Sequence, residues 1–231
     1  LGAIEIEITS KYETPTPSIL FSACVNVLGK VAESVSDIEI TYVGTTEFKP
    51  TRISEMFKDK KCNYTIVHDG GLGYSQNDAS VPNGWKIDLS KEDWFAFEDN
   101  FGTSEEKAFV AYFKSFIPHL KEKYDKVFLV RNERQLHIYS FDGGERFEPD
   151  YLLFLHKQND AGYEQLQVFI EPKGTHLIAD DKWKEDFLLE IEDKAVTTKI
   201  FVDDNKYKIW GFHFFNTDVR MNEFKKDMER L

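Results

Sequence analysis

The sequence predicts an α/β (α+β) chain in two parts, a β-rich N-terminal segment over residues 1–98 and a mixed segment over 99–231. Three observations lead there. Near the start, apolar residues repeat with a period of two, the mark of strands with one buried face. Farther on they repeat with helical spacing over 104–123 and 180–191. Between those helices lie short apolar runs divided by Gly, Asn and Asp, as strands joined by turns require.

In chain order, Ala3-Ile4-Glu5-Ile6-Glu7-Ile8 and Ile38-Glu39-Ile40-Thr41-Tyr42 alternate and are expected as strands, and residues 18–31 have the apolar content of a short helix. Residues 69–85 are rich in Gly, Asn and Asp and read as a flexible loop. A Gly-rich phosphate cradle is the alternative, but its strand-to-helix setting is missing. Phe109, Tyr112, Phe113, Phe116, Ile117 and Leu120 share one face of the helix over 104–123, which Pro118 is expected to kink or shorten. Strands follow at 127–130 and 136–141, and Asp142-Gly143-Gly144-Glu145 turns the second into the strand that bears Asp150. Trp183, Phe187, Leu188 and Ile191 form the apolar side of the helix over 180–191, leaving Lys182 and Lys184 exposed. Residues 200–202 and 207–215 are expected to pair across Asp203-Asp204-Asn205, and a charged helix closes the chain.

The chemistry concentrates where two apolar runs end. Pro149-Asp150 opens the run 151–155, apolar on both faces and so suited to a central strand; the run 166–170 ends in Glu171-Pro172-Lys173-Gly174. Gln167, Phe169, Glu171 and Lys173 share one face of the second strand. A polar turn, Lys157-Gln158-Asn159-Asp160-Ala161-Gly162, separates the runs, so the strands should pair antiparallel with Asp150 and Glu171 at the same end. Two carboxylates, the Pro172 carbonyl and waters can then hold Mg²⁺ beside a phosphodiester, with Lys173 positioning water or offsetting charge on phosphorus. Acid-x-Lys triplets are common in a chain with 41 acidic residues. Asp59-Lys60-Lys61, Glu105-Glu106-Lys107 and Glu192-Asp193-Lys194 lack a leading strand, which separates them from the candidate. The competing reading makes Asp150, Glu171 and Lys173 ordinary strand-end ion pairs.

In order and spacing, several segments taken together resemble the C-terminal endonuclease region of the Res subunits of type III restriction-modification enzymes, members of the PD-(D/E)XK nuclease superfamily. They are Thr103-Ser104-Glu105-Glu106-Lys107, Phe128-Leu129-Val130-Arg131-Asn132-Glu133, Phe147-Glu148-Pro149-Asp150, Phe169-Ile170-Glu171-Pro172-Lys173-Gly174-Thr175-His176 and Trp183-Lys184-Glu185-Asp186. The resemblance covers about residues 95–220. It implies a PD-(D/E)XK core, a mixed central sheet flanked by helices, and Mg²⁺-dependent cleavage of duplex DNA, with Mn²⁺ able to substitute. It gives the metal-ligand role to Asp150 and Glu171 and the catalytic-lysine role to Lys173. Glu106 matches an additional acid from the preceding helix, although Thr103-x-x-Glu106 also fits a capping box. It further implies an ATP-driven motor region elsewhere in the subunit and a methyltransferase (Mod) partner; no Walker-type Gly-x-x-x-x-Gly-Lys motif occurs here.

The net charge of −12 opposes a DNA-binding role, since duplexes are bound through Lys and Arg. Either a local basic surface of Lys173, Lys182 and Lys184 meets the phosphates, or DNA affinity resides elsewhere in the larger enzyme; His176, close behind Lys173, is a candidate to touch DNA or a bridging water, with a structural role as the competing reading. No apolar stretch nears membrane-spanning length, no signal-peptide pattern opens the chain, and Cys24 and Cys62 are too few for a disulfide or zinc framework. A cytoplasmic fragment of a longer protein, lacking the initiator Met, is the expectation. His137, His156 and His213 fall in apolar strands and read as hydrogen-bonded core residues; Arg131 and Asn132 read as caps or braces of the sheet edge, with phosphate contact as the alternative. Two rival classes remain beside the nuclease: a catalytically silent docking module of the same fold, and an unrelated β-rich binding domain.

Overall fold

A computed structural model describes residues 14–36, 44–48, 53–57, 73–160, 162–194, 196–197 and 207–231. The chain divides into two compact units, Leu1–Tyr42 and Val43–Leu231. The first contains the helix α1 (Pro17–Ser36), longer than the short helix expected, with Phe21, Val25 and Leu28 exposed.

In the second unit, β1 (Glu47–Phe48), the single turn α2 (Ile53–Met56) and two short 3₁₀ turns precede α3 (Ser104–Lys123). Then come β2 (Lys126–Arg131), β3 (Ile138–Tyr139), β4 (Arg146–Phe147), β5 (Tyr151–Asn159) and β6 (Gly162–Ile170). A 3₁₀ turn at Thr175–Leu177, α4 (Lys182–Lys194), β7 (Val196–Thr197), β8 (Tyr207–Gly211) and α5 (Met221–Glu229) complete the unit. The main sheet has the order β2-β5-β6-β8, antiparallel between the first three strands and parallel between β6 and β8. It is a mixed sheet with helices on both faces.

Alternation explains the layers. Tyr151, Leu153 and Leu155 of β5, with Val168 and Ile170 of β6, face Phe109, Phe113 and Leu120 of α3 and Phe224 and Met228 of α5. Leu152, Phe154 and Phe169 point the other way, onto Phe187, Leu188 and Ile191 of α4. Each such fully buried side chain contributes roughly 1.5–3 kcal/mol. At the hairpin Asn159 pairs with Gly162, whose φ of 132° suits only glycine. On the far side α4 lies so near β8 that a Cβ on Gly211 would stand 2.2 Å from the Leu188 carbonyl oxygen.

Several expectations change. The helix runs through Pro118 without shortening, because Phe113, Ile117 and Leu120 bury its face on both sides of the proline. Only Ile138–Tyr139 of the strand expected at 136–141 is paired, with Arg146–Phe147, and Glu148-Pro149-Asp150 separates that ladder from β5. Among the described residues of 1–98, Glu47–Phe48 is the one strand; the alternating runs expected as strands lie outside the described residues. The boundary at 98/99 falls inside the second unit: Leu89, Trp94 and Phe95 belong to its core, and Leu129 of β2 exchanges backbone hydrogen bonds with Trp94 and Ala96. β8 pairs with β6 and ends at Gly211. The alternations at 3–8 and 38–42, the loop start at 69–72, Cys62, Asp59-Lys60-Lys61 and the turn at 200–206 lie outside the described residues.

Candidate functional site

The β5–β6 register pairs Tyr151 with Ile170, which sets Asp150 opposite Glu171 one step farther. The Asp150 amide donates to Glu171 Oε2 at 3.0 Å, fixing the two acids at one end of the sheet. Beyond them, the Phe215 amide donates to the Glu171 carbonyl and the Lys173 amide to the Phe215 carbonyl. Successive carbonyls of an extended strand point to opposite edges, so that of Pro172 turns toward the β5 side. No described group donates to it.

Lys173 is clasped. Its Nζ lies 2.7 Å from Glu171 Oε1 and 2.8 Å from Asp181 Oδ2, and Asp181 Oδ1 lies 2.7 Å from Lys184. Glu171, Lys173, Asp181 and Lys184 thus form a row of alternating charge running from the strand end to α4. Burial alone would lower the Lys173 pKa, but Glu171 and Asp181 outweigh it and hold it above the usual lysine value. Burial raises the Glu171 pKa, with Lys173 partly offsetting the effect.

Asp150 differs from its neighbours. Its backbone is satisfied on both sides, since the Asn132 amide donates to its carbonyl, yet no described donor reaches its carboxylate. Burial first, then repulsion from Glu171 and Glu106, pushes its pKa well above the usual aspartate value against the opposing pull of Lys173 and Arg131. The carboxylate borders a cleft of about 220 Å³ lined by Glu106, Arg131, Asn132, Glu133, Arg134, Glu148, Pro149 and Asp150. Arg131 is held there by Glu106 at 2.9 Å and Glu133 at 2.6 Å. Asn132 donates to the carbonyls of Leu136 and Pro149 and accepts from the Leu136 amide, so the loop after β2 is tied to the residue preceding Asp150.

The structure therefore brings Asp150, Glu171, Pro172 and Lys173 together and places Glu106 at the edge of the same cleft. Glu106 completes the capping box: its Oε2 accepts from the Thr103 amide at 2.6 Å while its amide donates to Thr103 Oγ1. With Oε1 on Arg131, both its oxygens are engaged. Lys184 joins the row through Asp181, whereas Lys182 is exposed and paired with Asp186. His176 is exposed in its 3₁₀ turn. Among the other histidines, His213 bonds Asp227 at 2.7 Å; His137 is exposed, and His156 stacks on Tyr163 with its buried Nδ1 unbonded, unlike the hydrogen-bonded core expected for both. Asp181 was absent from the sequence-derived site. An acid in the loop leading into a helix was its signal, but its reach to Lys173 depends on the turn at Thr175–Leu177.

Among the described residues, no group of three or more His, Cys, Asp and Glu converges for a metal. The oxygen set consists of the unpartnered Asp150 carboxylate, Glu171 with one donor on each oxygen, and the Pro172 carbonyl. An all-oxygen set with an uncompensated negative charge fits a hard divalent cation that completes its shell with water.

Residues 41–230 match a family described as HI_1054_C, C-terminal domain. A Haemophilus influenzae (strain Rd) protein named "Uncharacterized protein" is 31% identical over 214 residues, which cover 90% of this chain and 43% of that protein. The chain thus spans less than half the length of this relative. No solved structure matches.

Proposed function

The chain belongs to the HI_1054_C C-terminal domain family, and we propose that it is a Mg²⁺-dependent endonuclease domain of the PD-(D/E)XK type, hydrolysing phosphodiester bonds of duplex DNA within a larger type III restriction subunit. The observation that carries this reading is the Asp150 carboxylate, unpartnered, directly across the strand pair from Glu171 and bordering an open cleft. The mixed sheet with helices on both faces agrees with it. Mg²⁺, or Mn²⁺ in its place, held by Asp150, Glu171 and the Pro172 carbonyl supplies Lewis-acid charge at the scissile phosphate. The chain's own part is positional: Glu171 fixes the Asp150 backbone, Asp181 and Glu171 aim the Lys173 ammonium, and that ammonium offsets charge gathering on the phosphate oxygens. In this reading ATP-driven translocation comes from a motor region outside the chain, a methyltransferase subunit is the partner, and the setting is cytoplasmic.

One observation favours a second reading. Lys173 already spends its charge on two carboxylates, as it would in a silent docking module that keeps a nuclease-like fold. Cleavage of plasmid DNA with Mg²⁺ or Mn²⁺ separates the two. In the first reading, Asp150→Asn and Lys173→Ala each lower the rate at least about a hundredfold while thermal unfolding stays cooperative. Undiminished cutting by either variant removes the endonuclease assignment, and no cutting by any form, with or without partner subunits, favours the docking module.

A further inference from the structure

The cleft beside Asp150 carries a second unmatched charge. Of its acids, Glu106 and Glu133 are taken by Arg131, and Glu148 by Arg146. Arg134 lines the same cleft, is exposed, and forms no ion pair or hydrogen bond with any described residue. Its backbone has φ 57°, a left-handed conformation that a β-carbon disfavours and that glycine adopts freely. The loop holding it there is clamped: Asn132 binds Leu136 through both its amide nitrogen and its oxygen, and binds the Pro149 carbonyl, while the Gln135 amide donates to the Asn132 carbonyl. One clamp therefore sets both the unpaired guanidinium and the segment carrying the unpaired carboxylate.

From this arrangement we infer that Arg134 is a substrate-binding residue, its guanidinium gripping a phosphate of the DNA backbone next to the one cut at Asp150. The inference rests on the endonuclease reading and names the cation that meets DNA in an otherwise acidic chain. A guanidinium suits the role because its planar fork matches two phosphate oxygens at once, whereas the Arg131 guanidinium is held between Glu106 and Glu133.

The test is binding of a short fluorescent duplex to the full chain in EDTA, read by anisotropy over a range of salt, for wild type, Arg134→Gly and Arg134→Lys. Glycine fits the left-handed backbone, so a folding defect cannot account for a loss in that variant; thermal melts verify this. Arg134→Gly is expected to raise Kd about tenfold and to reduce the slope of log Kd against log salt by about one, with Arg134→Lys between. Wild-type Kd and slope in Arg134→Gly, in a protein that binds and cuts DNA, overturn the role of Arg134 alone. A wild-type protein that neither binds nor cuts the duplex overturns the endonuclease reading and this role with it.

Discussion

Asp150 keeps its amide and carbonyl satisfied while its carboxylate faces a cleft without a donor, and that asymmetry has a pH signature. A carboxyl whose pKa is higher folded than unfolded binds its proton more tightly in the native state, so stability falls as pH rises from the unfolded aspartate value through the raised native one. Asp150→Asn removes the charge, and it is expected to stabilise the cation-free protein at pH 7 by about 1–2 kcal/mol, a rise in Tm of about 3–6 °C. The gain should vanish near pH 3. Differential scanning calorimetry across pH measures both, and an unchanged or lower Tm at pH 7 contradicts the unpaired carboxylate. Asn132→Ala should act in the opposite sense, costing about 2–4 kcal/mol in urea unfolding because it strips partners from Leu136 and Pro149 together. At this scale the sequence was legible where period two sufficed, placing Asp150 and Glu171 at one strand end. Glu106 was ambiguous, since a capping box and a ligand place an acid at the same position. Asp181 was illegible, because its partner depends on a turn that no periodicity encodes.

Elements were legible in proportion to how locally their pattern is written. The β5–β6 hairpin carries both strands and its turn in twenty contiguous residues, whereas β8 takes a parallel partner that lies before α4 in sequence. The ladder of β3 and β4 came out shorter than its apolar run because the loop around Pro149 is tied to Asn132 and leaves the ladder before Asp150. Pro118 failed to end α3 because tertiary packing outweighs one missing hydrogen bond. The contact of α4 with β8 makes the sharpest prediction here. Gly211→Ala sets a methyl against the Leu188 carbonyl, backbone on backbone, and is expected to cost about 3 kcal/mol or more in denaturant unfolding. A loss below about 1 kcal/mol would mean that α4 can slide away from the sheet.

For the whole molecule, the limit of the second unit is the testable quantity. Deleting residues 1–42 should leave a domain that unfolds cooperatively, since Val43–Leu231 is a compact unit of its own. Deleting 1–98 removes Leu89, Trp94 and Phe95 from the core and strips Leu129 of its two backbone partners. That shorter chain should lose its cooperative transition in a thermal melt followed by circular dichroism, and a sharp transition would restore the boundary at 98/99. Periodicity pointed to a break between a β-rich and a mixed part, but hydrophobic contacts between distant segments decide where a unit ends.

The pairing of Lys173 and Glu171 with Phe215 gives the site a place in time during synthesis. A ribosome delivers the helix, the hairpin and both acids first, while the strand end that aims Lys173 has no backbone partner until the segment past β8 has emerged. The candidate site is therefore completed only once the segment past β8 exists, and a nascent chain stalled before Phe215 would carry its ligands without their final alignment.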